Sequence, residues 1–326
     1  SFINAILRKV STRKVYFSDK DPAYKILDCP EWLYMRLVND FNVDLINTYL
    51  DYSKVKPKIW LRINTLKVSI SYVHKLFTKN KIKYKINKYL DNFLEVDKLD
   101  SNNIILNNIK LGLLYVQNPS SAFVVKYLNP KRNSKILDAC SAPGGKASFM
   151  IQETSNTINL TCIEKNNSRL QILKSNMKAL DFNNIKYIND DAGNIIMEDK
   201  FDQILLDLPC SSTGTFSKNP DIKWKIDNKS ILFFKKIQLK ILLNMSKFLK
   251  IGGELIYSTC SLLKNENEDN IIEFLKINRN FSVVDIQNSL PSTLKNKLGG
   301  MTVMPDSNNY EGMFAVKLKK NEENIS

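Results

Sequence analysis

The apolar positions of this 326-residue chain change their spacing twice, and each change predicts a different kind of structure. Residues 1–50 read as helical. Phe2, Ile3, Ile6 and Leu7, then Trp32, Leu33, Met35, Leu37 and Val38, recur at helical intervals, with breaks at Asp21-Pro22 and Cys29-Pro30. The first run carries no start signal of its own, as expected of a helix entered from a preceding domain. Over 55–117 short alternating runs predict a small α+β module, with strands at 59–63, 84–86, 93–96 and 113–116 and a helix at 71–79. This module holds Lys79, Lys81, Lys83, Lys85 and Lys88. Lysine alternates with Ile82, Tyr84 and Ile86, which would line several lysines along one strand face. From 118 to 326 strands and helices alternate, the pattern of a parallel α/β sheet. Asn118-Pro119 starts a helix to 128. Strands follow at 135–139, 159–163, 185–189 and 201–207, with helices to about 151 and over 168–180. A long helix at 231–249, a Gly252-Gly253 turn, a strand at 254–258, a helix at 267–277 and strands at 301–304 and 313–318 complete the chain.

Composition narrows the function classes. Hydrophobic residues make up 43% of the chain, enough for a sizeable core and too many for disorder. No run approaches the roughly 18 apolar residues of a spanning helix, and residues 1–10 lack the apolar stretch of a signal peptide, so a cytoplasmic protein is expected. The formal charge is +15, with 20 basic and 11 acidic side chains in residues 1–117 alone. Charge of that size fits a polyanionic partner and equally fits the Lys-, Asn- and Ile-rich coding of an AT-rich genome. The five cysteines, at 29, 140, 162, 210 and 260, form no CxxC and no zinc spacing, so no metal site is expected. His74 is the single histidine, which removes most hydrolase and zinc-enzyme chemistry.

The chemistry gathers at predicted strand ends. The first strand of the large sheet runs into Asp138-Ala139-Cys140-Ser141-Ala142-Pro143-Gly144-Gly145-Lys146, a glycine-containing turn that lets backbone approach a nucleotide-like ligand. Glu164 ends the second strand, where a carboxylate would accept both ribose hydroxyls, and Asp191 follows the third, within reach of an adenine amino group. GxGxxG is absent, which argues against a dinucleotide; the adenosine of S-adenosylmethionine has no pyrophosphate and needs no such fingerprint. The fourth strand ends at Asp207-Leu208-Pro209-Cys210 and the fifth at Ser258-Thr259-Cys260. Two strand-end thiols beside one nucleotide site suit attack on carbon 6 of cytosine, which makes carbon 5 nucleophilic towards an activated methyl group. A free thiol near pKa 8.5 needs help to ionise; Lys146 is the nearest cation, and Asp207 could bind the exocyclic amine and N3. The spacing leaves open which thiol attacks. Cys29, Cys140 and Cys162 read as small core residues.

Residues 138–146, Asp207-Leu208-Pro209-Cys210-Ser211-Ser212-Thr213-Gly214, Ser258-Thr259-Cys260-Ser261 and Glu266-Asn267-Glu268 resemble the RNA cytosine-C5 methyltransferases of the Nol1/Nop2/Sun family. Asn219-Pro220-Asp221-Ile222-Lys223-Trp224, Trp60-Leu61-Arg62-Ile63-Asn64 and Val116-Gln117-Asn118-Pro119-Ser120-Ser121 are similar to its bacterial Sun/RsmB branch, which methylates 16S ribosomal RNA. The resemblance spans nearly the whole chain. It implies an α/β, Rossmann-like S-adenosylmethionine-dependent methyltransferase domain over 118–326, its last strand antiparallel. Ahead of it would lie an RRM-like RNA-binding module over 55–117 and, over 1–54, the remnant of a NusB-like domain with its linker. It further implies a cofactor site at Cys140, Ser141, Ala142, Pro143, Gly144, Gly145, Lys146, Glu164, Asp191 and Asp207, with Cys260 as nucleophile and Cys210 assisting release. The partner would be small-subunit rRNA, with no membrane, and the protein a monomer. Ser141 and Glu164 depart mildly from the family, which usually has alanine and, in this branch, often aspartate. Other readings are a tRNA or different rRNA target, or a non-catalytic RNA-binding assembly factor.

Overall fold

The computed structural model describes residues 2–12, 18, 20–99, 103–286, 290–306 and 308–322. Two sheets organise the chain. The first is antiparallel and contains β1 (Ile59–Ile63), β2 (Lys85–Ile86), β3 (Phe93–Val96) and β4 (Leu114–Val116) in the order β2-β3-β1-β4, with helices Ile70–Lys79 and Ile104–Lys110 between strands. The Ile104–Lys110 helix is an addition to the sequence reading. It has only seven residues and lacks a side-chain N-cap, so little in the sequence announces it.

The lysine run is placed differently from expectation. Lys81 has φ 54° and terminates the Ile70–Lys79 helix, with the Ile82 amide donating back to Phe77 O at 2.9 Å. Only Lys85 and Ile86 are paired strand residues. Exposure nevertheless alternates, with Lys81, Lys83 and Lys85 open and Ile82 and Tyr84 half-buried.

The second sheet contains β5 (Lys135–Ala139), β6 (Asn159–Ile163), β7 (Ile185–Ile188), β8 (Phe201–Asp207), β9 (Leu249–Thr259), β10 (Phe281–Val284), β11 (Met301–Val303) and β12 (Met313–Lys320). Its main order is β10-β12-β9-β8-β5-β6-β7, with β11 on β12. Strands β5 to β9 are parallel, while β12 runs antiparallel to β9. This is the Rossmann-like arrangement with an antiparallel last strand that the sequence predicts. Ile204, Leu205 and Leu206 in β8 are wholly buried, as a strand covered on both faces requires. Gly252 and Gly253 lie inside β9, where the register jumps from the Phe201–Leu249 pair to the Gln203–Glu254 pair. The two glycines are therefore a bulge within a strand that starts at Leu249.

The smaller sheet is not a free appendage. Trp60 and Phe93 share a core with Phe123, Phe149 and Met150 of the larger domain. The helices Glu31–Asp40 and Val43–Tyr52 bury Leu33, Leu37, Ile46 and Tyr49 against Phe216, Leu262 and Leu263. Among the described residues no helix is long and apolar enough to cross a membrane.

Candidate active site

Strand order reverses at β5, whose neighbours are β6 and β8, and the crevice beyond their carboxyl ends is where this architecture binds ligands. The turn after β5 opens the Gly145–Glu153 helix. Gly144 has φ +105°, so its conformation demands glycine; a Cβ there would meet only the movable side-chain ends of Met177 at 2.5 Å and Leu173 at 2.7 Å. A cleft follows, lined by Tyr115, Val116, Asp138, Ser141, Ala142, Pro143, Gly145, Lys146 and Asp207. Cys140, left-handed at φ 62° where the turn begins, is not among the lining residues, and burial pushes its thiol well up.

Asp138 and Asp207 line the cleft, Glu164 and Asp191 do not, and the four carboxylates are unequal. Lys146 Nζ lies 2.6 Å from Asp207 Oδ2, the lysine almost wholly buried and the acid partly open. Glu164, buried at the end of β6, accepts from the Asn166 amide at 3.0 Å through Oε1, while Oε2 has no hydrogen bond and faces Arg169 at 3.7 Å. Both oxygens of buried Asp138 lack partners; burial, and after it the charge of Asp207, drives its pKa well above the usual carboxylate range. Asp191 accepts from the Gly193 amide at 2.9 Å and from Lys165 at 3.0 Å. Burial alone would raise it, but these contacts prevail and hold it below the ordinary value. Orphaned buried acceptors at Asp138 and Glu164 are what a ligand with hydroxyls and a cationic centre would satisfy, so the residues present fit S-adenosylmethionine.

The two thiols meet beside this cleft. Cys210 Sγ and Cys260 Sγ are 3.2 Å apart, and Ser212 Oγ lies 3.3 Å from Cys260. Donation from Cys210, and then the Ser212 hydroxyl and Lys146, holds Cys260 below the ordinary thiol value against the upward push of burial. Cys210 is pushed well above it, first by that same contact and then by burial. The loops are locked by backbone: the Gly214 amide donates to Cys260 O at 2.9 Å and the Gly312 amide to Gly214 O at 2.7 Å. A Cβ on Gly214 would come within 2.6 Å of Gly312 Cα.

Sequence reasoning gave no role to three parts of this site. Ser212 is one. Tyr115 and Val116, at the end of the small sheet, line the cleft; in the sequence Tyr115 reads only as a strand residue and Val116 as that and as the start of a family stretch. Arg62 is the third: wholly buried on β1, it donates to Gln117 Oε1 at 2.6 Å, Gly145 O at 3.1 Å and Ser148 Oγ at 2.7 Å. Its guanidinium also lies 5.2 Å from the Tyr115 ring centre and 5.1 Å from that of Phe149. Burial pushes its pKa down to about 9. An arginine inside a strand pattern at an expected core position was the available signal.

Comparison with known proteins bears on this geometry. The model of the 16S rRNA methyltransferase RsmB/F family matches residues 125–319, and that of the RsmF/B-like ferredoxin-like domain matches 29–99. The chain belongs to the RsmB/F family. Ribosomal RNA small subunit methyltransferase B of Shewanella oneidensis is 30% identical over 321 residues, covering 98% of this chain and 73% of the relative. The protein of the same name from Proteus mirabilis is 31% identical, covering 84% and 65%. The crystal structure of PH0851 superposes with a TM-score of 0.87 at 26% identity, covering 98% of this chain and 72% of that one. NSun6 from Pyrococcus horikoshii, solved with SFG, shares the fold at a TM-score of 0.80 and 22% identity, covering 90% and 99%. As an RsmB/F member the chain is an rRNA methyltransferase that uses S-adenosyl-L-methionine.

Proposed function

We propose that this RsmB/F protein methylates carbon 5 of a cytosine in small-subunit rRNA through a covalent bond from Cys260. The observation that carries the reading is the 3.2 Å contact between two thiols at the carboxyl ends of β8 and β9, beside the Lys146–Asp207 pair. When bound, S-adenosylmethionine supplies an electrophilic methyl group. Glu164 is placed to accept ribose hydroxyls, Asp191 to meet the base, and the 140–146 turn to wall the ligand with backbone. Cys260, as thiolate, adds to carbon 6; carbon 5 then takes the methyl group from the sulfonium, which is left as a thioether, and loses its proton to a base, the freed electron pair re-forming the C5–C6 double bond as the S–C6 bond breaks to return the thiolate. Asp207, held by Lys146, is positioned to bind the cytosine amine and N3, easing addition. Cys210 is protonated while Cys260 attacks; after addition it releases that proton to solvent and, as thiolate, takes the C5 proton, which assists the elimination.

The target base must leave its stack to reach this depth, so the rest of the RNA needs a separate grip. We assign it to the basic module, and divide the chain into 1–54, 55–117 and 118–326 on that basis. Replacing Lys81, Lys83 and Lys85 together by alanine is expected to weaken RNA binding and flatten its salt dependence by up to about 2–3 in log–log slope. Cofactor affinity should be unchanged, and filter binding over a salt series checks both. The function itself is tested by transfer of labelled methyl from S-adenosylmethionine to small-subunit rRNA, followed by bisulfite mapping. One protected cytosine supports it; label on another base or carbon refutes it.

A further inference from the structure

We propose that Glu266 is a positioning residue that holds Cys210 and Cys260 in contact and fixes which thiol donates and which accepts. The inference rests on the reading of Cys260 as nucleophile but can be judged apart from it. Glu266 is wholly buried in the Lys264–Glu266 turn. Its carboxylate sits between the two thiol loops and binds the residue that follows each cysteine. The Ser211 amide donates to Oε2 at 2.9 Å and the Ser211 hydroxyl to Oε1; the Ser261 hydroxyl donates to Oε1 at 2.7 Å. Gln238 Nε2 completes the shell at 2.9 Å from Oε2, itself fixed by Asn270 Nδ2 donating to its Oε1 at 3.0 Å.

A desolvated carboxylate with four donors is a strong and rigid tie, because charge-assisted bonds are stronger than neutral ones and a lost partner leaves a buried group unsatisfied. It links β8 and β9 directly across the point where the thiols meet, and Ser211 Oγ and Ser261 Oγ come within 3.1 Å of each other around it. Its charge also acts unequally. After contact with Cys260 and burial, the negative charge of Glu266 adds to the forces keeping Cys210 protonated. A protonated Cys210 donates to Cys260, and that donation is the largest influence favouring the Cys260 thiolate. One buried acid thus ties the two thiol loops together and adds its charge to the side of Cys210.

The test reads thiol reactivity without RNA. Alkylation of the folded protein by iodoacetamide, followed over about pH 6 to 10 with peptide mapping, gives the relative rates at Cys260 and Cys210. Wild type should react preferentially at Cys260 near neutrality. In Glu266→Gln the charge is gone, Cys210 ionises more readily, and Cys260 loses its fixed donor. The preference should shrink by about tenfold, equivalent to one unit of pKa separation, with S-adenosylmethionine affinity retained. A folded Glu266→Gln protein that keeps the full preference overturns the proposal and leaves Glu266 a structural tie only. Ser261→Ala removes the single link to the Cys260 side and should give a smaller loss of preference. If Glu266→Gln does not fold, an unchanged preference in Ser261→Ala overturns the proposal. A wild-type preference for Cys210 would count against Cys260 as nucleophile, while its collapse in Glu266→Gln would still support the positioning role.

Discussion

Cys260→Ala is expected to abolish the covalent complex with 5-fluorocytosine rRNA and to lower methyl transfer on the order of 10⁴-fold or more. The loss is large because without addition at carbon 6, carbon 5 has no nucleophilic character, and no neighbouring group supplies it. Cys210→Ala has a different expected outcome. It should still form the complex, and should hold it on ordinary cytosine RNA because release is impaired. Gel retardation under denaturing conditions separates the two variants. The pH dependence follows from the same contact. The thiolate is the reactive form, so trapping by wild type should rise with pH and level off at a midpoint below the ordinary thiol value of about 8.5. Removing Cys210 deletes the donor that favours ionisation of Cys260, so the Cys210→Ala midpoint should move upward. If the midpoint stays fixed, the 3.2 Å contact has no electrostatic consequence.

Arg62→Ala is the largest expected change away from the thiols. It removes the donors to Gln117, Gly145 and Ser148, leaving Gln117 Oε1 without a partner while Ser148 Oγ still donates to Gly145 O at 3.1 Å, deletes the stacking on Tyr115 and Phe149, and opens a cavity where a wholly buried side chain stood. A loss of about 3 kcal/mol is expected, lowering Tm by roughly 4–5 °C in a chain of this length. Gly145 opens the helix behind the cleft, and Tyr115 lines its mouth, so cofactor affinity should also fall by about tenfold, near 1.4 kcal/mol. Arg62→Met keeps much of the volume and no longer buries a charge, so it should recover part of the stability but not the cofactor affinity. Thermal unfolding and cofactor calorimetry on both variants check this. Equal affinity losses with no change in Tm would place Arg62 in ligand binding alone.

The parts of the molecule legible in the sequence are those whose information is local. Apolar runs such as Ile204-Leu205-Leu206 can only be buried strand, and the Asp138–Lys146 turn advertises itself through its glycines. The strand-end thiols were legible as a pair because both follow apolar runs that predict strands. What was not legible depends on partners distant in sequence. Arg62 is stabilised by Ser148, 86 positions away, and Ser211 and Glu266 are 55 apart. The Gly252-Gly253 pair reads as a turn locally, yet pairing with β8 draws it into a bulge. Lys81 fits a strand alternation but is needed as the left-handed residue ending a helix.

The central claim is that Cys260, and not Cys210, bonds to cytosine. The most direct measurement is mass-spectrometric peptide mapping of the complex formed by wild-type protein on 5-fluorocytosine small-subunit rRNA with S-adenosylmethionine. The expected result is a nucleotide mass on the peptide containing Cys260, with Cys210 free. A nucleotide on Cys210, or a methylated RNA with no protein adduct at all, would contradict it.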